Sequence, residues 1–143
     1  MLTRLAGIKV VLVDDDADVL EAMDAAFTAE GATTFLAADG NEAVRLTQEH
    51  KPALVVLDMM LPKRSGFLVL EKIKGTDDSP HVIMLTANEG KRHQAYAEQL
   101  GVDRYLQKPA PLEHLLRTAV ELVRPAPEAT PPAAAPRSPR GPR

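Results

Sequence analysis

The chain has 143 residues, 45% of them hydrophobic, a formal net charge of -3 at pH 7 and no cysteine, which suits one domain with a sizeable core rather than two. Without cysteine there is no disulfide framework and no thiolate metal site, and no apolar run approaches the roughly 20 residues that span a bilayer, so a cytoplasmic protein without a membrane segment is expected. The mild charge and the few aromatic residues, Phe27, Phe35, Phe67, Tyr96 and Tyr105, argue against nucleic acid as the main partner of the folded part.

Ile8 to Val13 reads as a buried strand that stops at Asp14, Asp15 and Asp16. Val19, Leu20, Met23, Ala26 and Phe27 follow at helical spacing, and Gly31 is placed to stop that helix. Thr33 to Ala37 is a shorter, less apolar strand. Asp39, with Glu42 three residues on, resembles a capping box, and Ala43, Val44 and Leu46 carry a helix to about His50. Ala53 to Leu57 is too short for a helix and too apolar for a half-exposed strand, so it reads as a strand buried on both faces that ends on Asp58. Pro62 opens a loop that Ser65 and Gly66 close, and Phe67 to Ile73 is helical until Gly75 and the turn Asp77, Asp78, Ser79, Pro80.

Val82 to Leu85 is the fourth strand and ends on Thr86. Lys91 to Leu100 is a polar helix whose weak stripe of Ala95, Ala97 and Leu100 suggests light packing. Arg104 to Gln107 is a last short strand that stops at Lys108 and Pro109. Pro111 fits the first turn of a final helix with Leu112, Leu115, Leu116, Ala119, Leu122 and Val123 on its buried stripe. Five alternations of strand and helix imply a doubly wound α/β fold with a parallel sheet between helical layers. Beyond Arg124 the residues from 125 to 143 are rich in Pro and Ala and carry Arg137, Arg140 and Arg143. They read as a disordered or polyproline-like basic tail, or else a docking peptide for an acidic surface, outside a domain at 1–124.

In a parallel sheet the strand ends of one sense lie along one edge, so Asp14, Asp15, Asp58, Thr86 and Lys108 converge although they are distant in sequence. Two ionised carboxylates about 5 Å apart repel by roughly 3 kcal/mol at an effective dielectric near 20. Three together call for cations, of which Lys108 is one. All-oxygen ligands suit Mg²⁺ for the rest. Such a set is what transfer of a phosphoryl group to Asp58 needs, with Asp58 as nucleophile, Lys108 and Mg²⁺ neutralising phosphoryl oxygens, and Thr86 donating a hydrogen bond. Asp16 and Asp18 read as acids favourable to a helix N-terminus.

The segments VLVDDD at 11–16, LDMMLPKRSG at 57–66, MLTA at 84–87 and GVDRYLQKP at 101–109 together resemble the receiver domain of bacterial response regulators, over roughly Ile8 to Arg124. The resemblance implies a flavodoxin-like (βα)5 fold with strand order 2-1-3-4-5, and phosphotransfer to Asp58 from a sensor histidine kinase, a phosphotransfer protein or a small phosphodonor. It implies that the chain has no separate substrate but catalyses its own Mg²⁺-dependent phosphorylation and dephosphorylation. Asp15 would bind the metal directly, Asp14 mainly through water, and the Met60 carbonyl would be a further ligand alongside Asp58. Thr86 and Tyr105 would form a switch pair, and the Lys108 to Pro109 bond would be cis. With no effector domain in the sequence, the expected output is altered binding of a downstream protein through the fourth helix, fifth strand and fifth helix. No direct DNA binding is expected, and the chain would be a monomer or a phosphorylation-dependent dimer.

Two departures from the family pattern stand out. Ala110 replaces the Phe that many members have after the Lys-Pro pair, and GVDRY replaces a more acidic segment of the DNA-binding subfamily. Met60 and Asn88, two residues after Asp58 and Thr86, occupy positions that tune acyl-phosphate lifetime in the family, and an apolar Met60 favours a long one. The best rival is a haloacid dehalogenase-type enzyme with Asp14 as nucleophile and Asp16 as acid/base, but the last strand lacks the acidic pair that chemistry needs. A calcium loop fails because Val19 and Ala25 stand where Gly and Glu are required. An unphosphorylated protein-binding module has no need of three clustered carboxylates.

Overall fold

The computed structural model describes residues 3–87 and 91–124. Strands and helices alternate as β1 (Lys9–Val13), α1 (Ala17–Ala29), β2 (Thr33–Ala37), α2 (Gly40–His50), β3 (Leu54–Asp58), α3 (Gly66–Lys74), β4 (His81–Thr86), α4 (Lys91–Gln99), β5 (Arg104–Gln107) and α5 (Leu112–Val123). The strands form one sheet in the order β2-β1-β3-β4-β5, and every pairing is parallel. This is the doubly wound, flavodoxin-like (βα)5 arrangement expected from the alternation. Asn88 and the tail at 125–143 lie outside the described residues.

The period of two along each strand divides the core between two faces. Val11, Val13, Val55, Leu57, Val82 and Met84 pack with residues of α2 and α3 and with Ala97 of α4. Their neighbours Val10, Leu12, Leu54, Val56, Ile83 and Leu85 pack on the opposite face with Met23 and Phe27 of α1 and Leu115, Leu116 and Ala119 of α5. Each large apolar side chain removed from water contributes about 1.5–3 kcal/mol against the cost of ordering the chain. The central strands therefore hold the sheet, and the functional groups sit where those strands end.

The helix starts follow local chemistry. Asp16 caps α1 by accepting from the backbone N–H groups of Asp18 and Val19, and Ser65 caps α3 through the N–H of Leu68. Asp39 caps α2 by accepting from Glu42 at 2.8 Å. The Glu42 carboxylate is taken by Arg45 at 2.7 Å, so the expected capping box is formed in one direction. Pro111 is the N-cap residue of α5 rather than part of its first turn, and it supplies no side-chain cap. Of α4 only Ala97 is buried, as its sparse apolar stripe implied.

Two strands run one residue further than their apolar runs, because the ladder accepts polar ends when the backbone finds partners. β3 includes Asp58, which pairs with Leu85, and β4 includes Thr86, which pairs with Gln107. Both side chains thus stand on hydrogen-bonded sheet rather than on free loop. The chain after Asp58 turns back tightly, and the Gly66 N–H donates to the Met59 carbonyl at 2.8 Å. A Cβ at Gly66 would lie 2.6 Å from the Asp58 carbonyl oxygen and 2.7 Å from the Met59 Cα. Because those atoms are backbone, Gly66→Ala is expected to lower stability by roughly 2–3 kcal/mol, read as a lower urea midpoint at unchanged slope.

Candidate functional site

Asp58 is the last residue of β3 and 5% exposed, Thr86 ends β4 and is fully buried, and Asp14 follows β1 and is 1% exposed. Lys108 follows β5, and its N–H donates to the Thr86 carbonyl at 2.7 Å, which ties the end of β5 to that of β4. The peptide bond from Lys108 to Pro109 is cis, as the resemblance implied. The Lys108 Nζ donates to Asp14 Oδ2 at 2.8 Å and lies 3.6 Å from Asp58 Oδ1. One carboxylate oxygen from each of Asp14, Asp15 and Asp58 falls within 4.8 Å of the others. Asp15 is the exposed member of the three. The second oxygen of Asp14 accepts from the Asp16 N–H at 2.9 Å, and the Met60 N–H approaches Asp58 Oδ1 at 3.4 Å.

The expected convergence of the two acidic strand ends with Thr86 and Lys108 is therefore present in space. Tyr105 lies one strand from Thr86 on β5, paired with Met84. Its phenolic oxygen is closed off from solvent. Burial pushes the phenol above its ordinary pKa, and the proximity of the Thr86 side chain works against that rise. The hydroxyl thus points inward, toward the end of β4.

Burial raises the Asp58 carboxyl above its ordinary pKa, and the negative charge of Asp14 raises it further. Lys108 and the Met60 N–H oppose this without cancelling it. For Lys108 burial acts downward, but the hydrogen bond to Asp14 and the charges of Asp58 and Asp14 outweigh it and the ammonium is strengthened. Three carboxylates thus face one bound cation, and the remaining negative potential is focused on oxygens that share a small volume. Hard divalent ions take such oxygen sets, with Mg²⁺ using one or two carboxylates and water, so the donor chemistry fits Mg²⁺.

Beside Lys108 an apolar cavity of about 460 Å³ opens between α1 and α5, lined by Val19, Met23, Leu85, Ala110, Leu112 and Leu115 among others. At this departure from the family pattern Ala110 contributes only a methyl group to the lining. The lining residues come from three separate segments, around 19–23, 85–87 and 108–115, so no local pattern in the sequence marks them as one surface.

The strained acid has a measurable consequence. A carboxyl with a raised native pKa binds protons more tightly folded than unfolded, so the fold loses stability as pH rises from the ordinary carboxylate pKa through the native one. Asp58→Asn removes that penalty and is expected to raise the Tm at neutral pH by the equivalent of roughly 1–2 kcal/mol. The gain should vanish below about pH 3.9, where the free carboxyl is itself protonated. Mg²⁺ is expected to raise the wild-type Tm, by about 2.7 kcal/mol at a hundredfold excess over its Kd, and to act more weakly on Asp58→Asn. Thermal melts across pH with and without Mg²⁺ check all three.

The chain resembles known proteins along most of its length. Residues 10–120 match the family model described as response regulator receiver domain. The response regulator MprA of Mycolicibacterium vanbaalenii is 34% identical over 117 residues, which are 82% of this chain and 51% of that protein. The chain thus spans about half the length of the curated relatives it matches. A CheY-like receiver domain protein from Methanospirillum hungatei superposes with a TM-score of 0.77 at 25% identity, over 80% of this chain and 91% of that one. A chain of the CheX-CheY-BeF3-Mg complex from Borrelia burgdorferi gives 0.76 at 28% identity, over 81% of this chain and 89% of that one. No helix among the described residues is long and apolar enough to cross a membrane. With its sheet order, its acidic strand ends and this match over 10–120, the chain belongs to the response regulator receiver domains of two-component systems.

Proposed function

We propose that the chain accepts a phosphoryl group on Asp58 from a sensor histidine kinase, a phosphotransfer protein or a small phosphodonor, and that this changes its affinity for a downstream protein. The observation that carries the reading is the Lys108 ammonium held between Asp14 and Asp58, at 2.8 and 3.6 Å, above a carboxylate fixed by the β3 ladder. An oxygen of Asp58 forms the new bond to phosphorus as the donor's phosphorus–nitrogen or phosphorus–oxygen bond breaks. Lys108 already lies within reach of Asp58 and pairs with the incoming phosphoryl oxygens. The Thr86 hydroxyl, buried at the end of β4, donates to another.

Asp14, Asp15, Asp58 and the Met60 carbonyl would hold Mg²⁺, with Asp14 acting mainly through water. When bound, the ion neutralises charge on the phosphoryl oxygens. The magnesium and beryllofluoride in the Borrelia CheY complex support this assignment. Asp14, the nucleophile of the haloacid dehalogenase reading, has both oxygens engaged, by Lys108 and the Asp16 N–H. Asp58 is the carboxylate with the weaker ties.

Movement of Thr86 toward the phosphoryl group is coupled to the nearby Tyr105 on β5, and α4 is lightly packed. The output surface is accordingly α4, β5 and α5. The match over 10–120 supports a receiver ending near Arg124, with 125–143 outside it. Met60 and Asn88 stand at the positions that tune lifetime, and the apolar Met60 offers no strong acceptor to orient a hydrolytic water, so it favours a long-lived phosphoryl group.

Labelling with radioactive acetyl phosphate and Mg²⁺ tests the site. Wild type is expected to take up label on Asp58, with uptake at least about 100-fold lower in Asp58→Asn and strongly reduced in Asp14→Asn and Lys108→Ala. Label that survives in Asp58→Asn and maps to Asp14 would establish the rival enzyme. Chasing labelled protein into unlabelled buffer checks the lifetime: decay over minutes or longer is expected, and loss within seconds contradicts the role given to Met60.

A further inference from the structure

Met60 differs from the other methionines among the described residues. Met23, Met59 and Met84 are at most 2% exposed, whereas Met60 is 67% exposed. Its neighbour Met59 takes the buried place, with its N–H extending the sheet to the Leu85 carbonyl at 3.1 Å. Met60 turns outward one residue later, and its own N–H stays 3.4 Å from Asp58 Oδ1. A solvent-facing thioether is thereby held on the lip of the acidic site, and a dissolved oxidant reaches it without any opening of the fold. The three core methionines are shielded by the sheet and helices around them.

We propose that Met60 is a site of reversible oxidation by hydrogen peroxide, and that the sulfoxide shortens the life of the phosphoryl group on Asp58. The second half rests on Asp58 being the acceptor. In the step itself the sulfur lone pair attacks one peroxide oxygen and the oxygen–oxygen bond breaks. The departing oxygen leaves as water after taking up the proton of the transferred one. Sulfur is oxidised by two electrons and peroxide is reduced by two. A sulfoxide reductase drawing on thiols reverses the change.

The modification turns an apolar, weakly accepting side chain into one bearing a strong acceptor oxygen, at nearly unchanged length. At an exposed position this requires no repacking, whereas the same oxygen on Met59 would be forced into the core. An acceptor two residues from the acyl phosphate can hold and orient a water for attack on phosphorus, which is the function the thioether lacks. Phosphorylation would then be cleared faster under oxidising conditions without any change in the donor.

The test uses the full chain treated with hydrogen peroxide, peptide mass spectrometry to map oxygen gain, and chase of label from acetyl phosphate. Met60 is expected to oxidise at least about tenfold faster than Met23, Met59 and Met84. The label is expected to decay about three- to tenfold faster once Met60 is oxidised, the rate equivalent of one net hydrogen bond. Met60→Gln should decay fast without peroxide, and the decay of Met60→Leu should not respond to peroxide. Oxidation spread evenly over Met23, Met59, Met60 and Met84 overturns the site. Unchanged decay with Met60 oxidised, or a peroxide response in Met60→Leu equal to that of wild type, overturns the coupling alone. A chain that takes up no label at Asp58 overturns the reading of the acceptor, and the coupling with it, while the oxidation map still decides whether Met60 is the modified residue.

Discussion

Crowding of like charge at the carboxyl edge of the sheet is the constraint on which the rest of the molecule turns. Asp14 and Asp58 are almost wholly removed from water, and with Asp15 they bring oxygens within 4.8 Å of one another. Such a cluster is unfavourable in an isolated chain and persists only where surrounding structure holds it. Lys108 offsets part of the repulsion, but burial, followed by the charge of Asp14, still raises the Asp58 carboxyl above its ordinary pKa. That surplus of negative potential favours a divalent cation.

The fold holds the cluster in place through the ladder. Four parallel pairings among short strands bury two apolar layers, and their cooperative stability fixes the ends of β1, β3, β4 and β5 relative to one another. The opposite edge of the sheet is fastened as well. Lys74 bonds both Asp103 and the Pro80 carbonyl at 2.8 Å, and the Val82 N–H donates to Asp103 at 2.7 Å, so α3, β4 and the approach to β5 are joined there. α4 has one buried residue, Ala97, so it is only lightly bound to the core.

Most of the architecture was legible from the residues because its signals are local. Short Val- and Leu-rich runs ending on polar residues marked the strands, and the spacing of Met23 with Phe27 or Leu115 with Ala119 marked helical faces. Errors were confined to ends. The apolar runs stopped at Leu57 and Leu85, but Asp58 and Thr86 join the ladder because neighbouring strands supply backbone partners that no local pattern reveals. The second arm of the capping box at Asp39 failed for a similar reason, since Glu42 found a stronger cationic partner in Arg45.

The sequence by itself determined the order of elements, the identity of the five polar groups at strand ends and the apolar character of Met60, since each is a property of residue type and spacing. Only the tertiary structure decided how those groups share charge. It showed Lys108 closer to Asp14 than to Asp58, Tyr105 near Thr86, an apolar cavity that Ala110 helps to line, and Met60 outside while Met59 is inside. These are distances and exposures between segments tens of residues apart. They follow from how the two layers pack against the sheet, and packing is a property of the assembled chain rather than of any window along it.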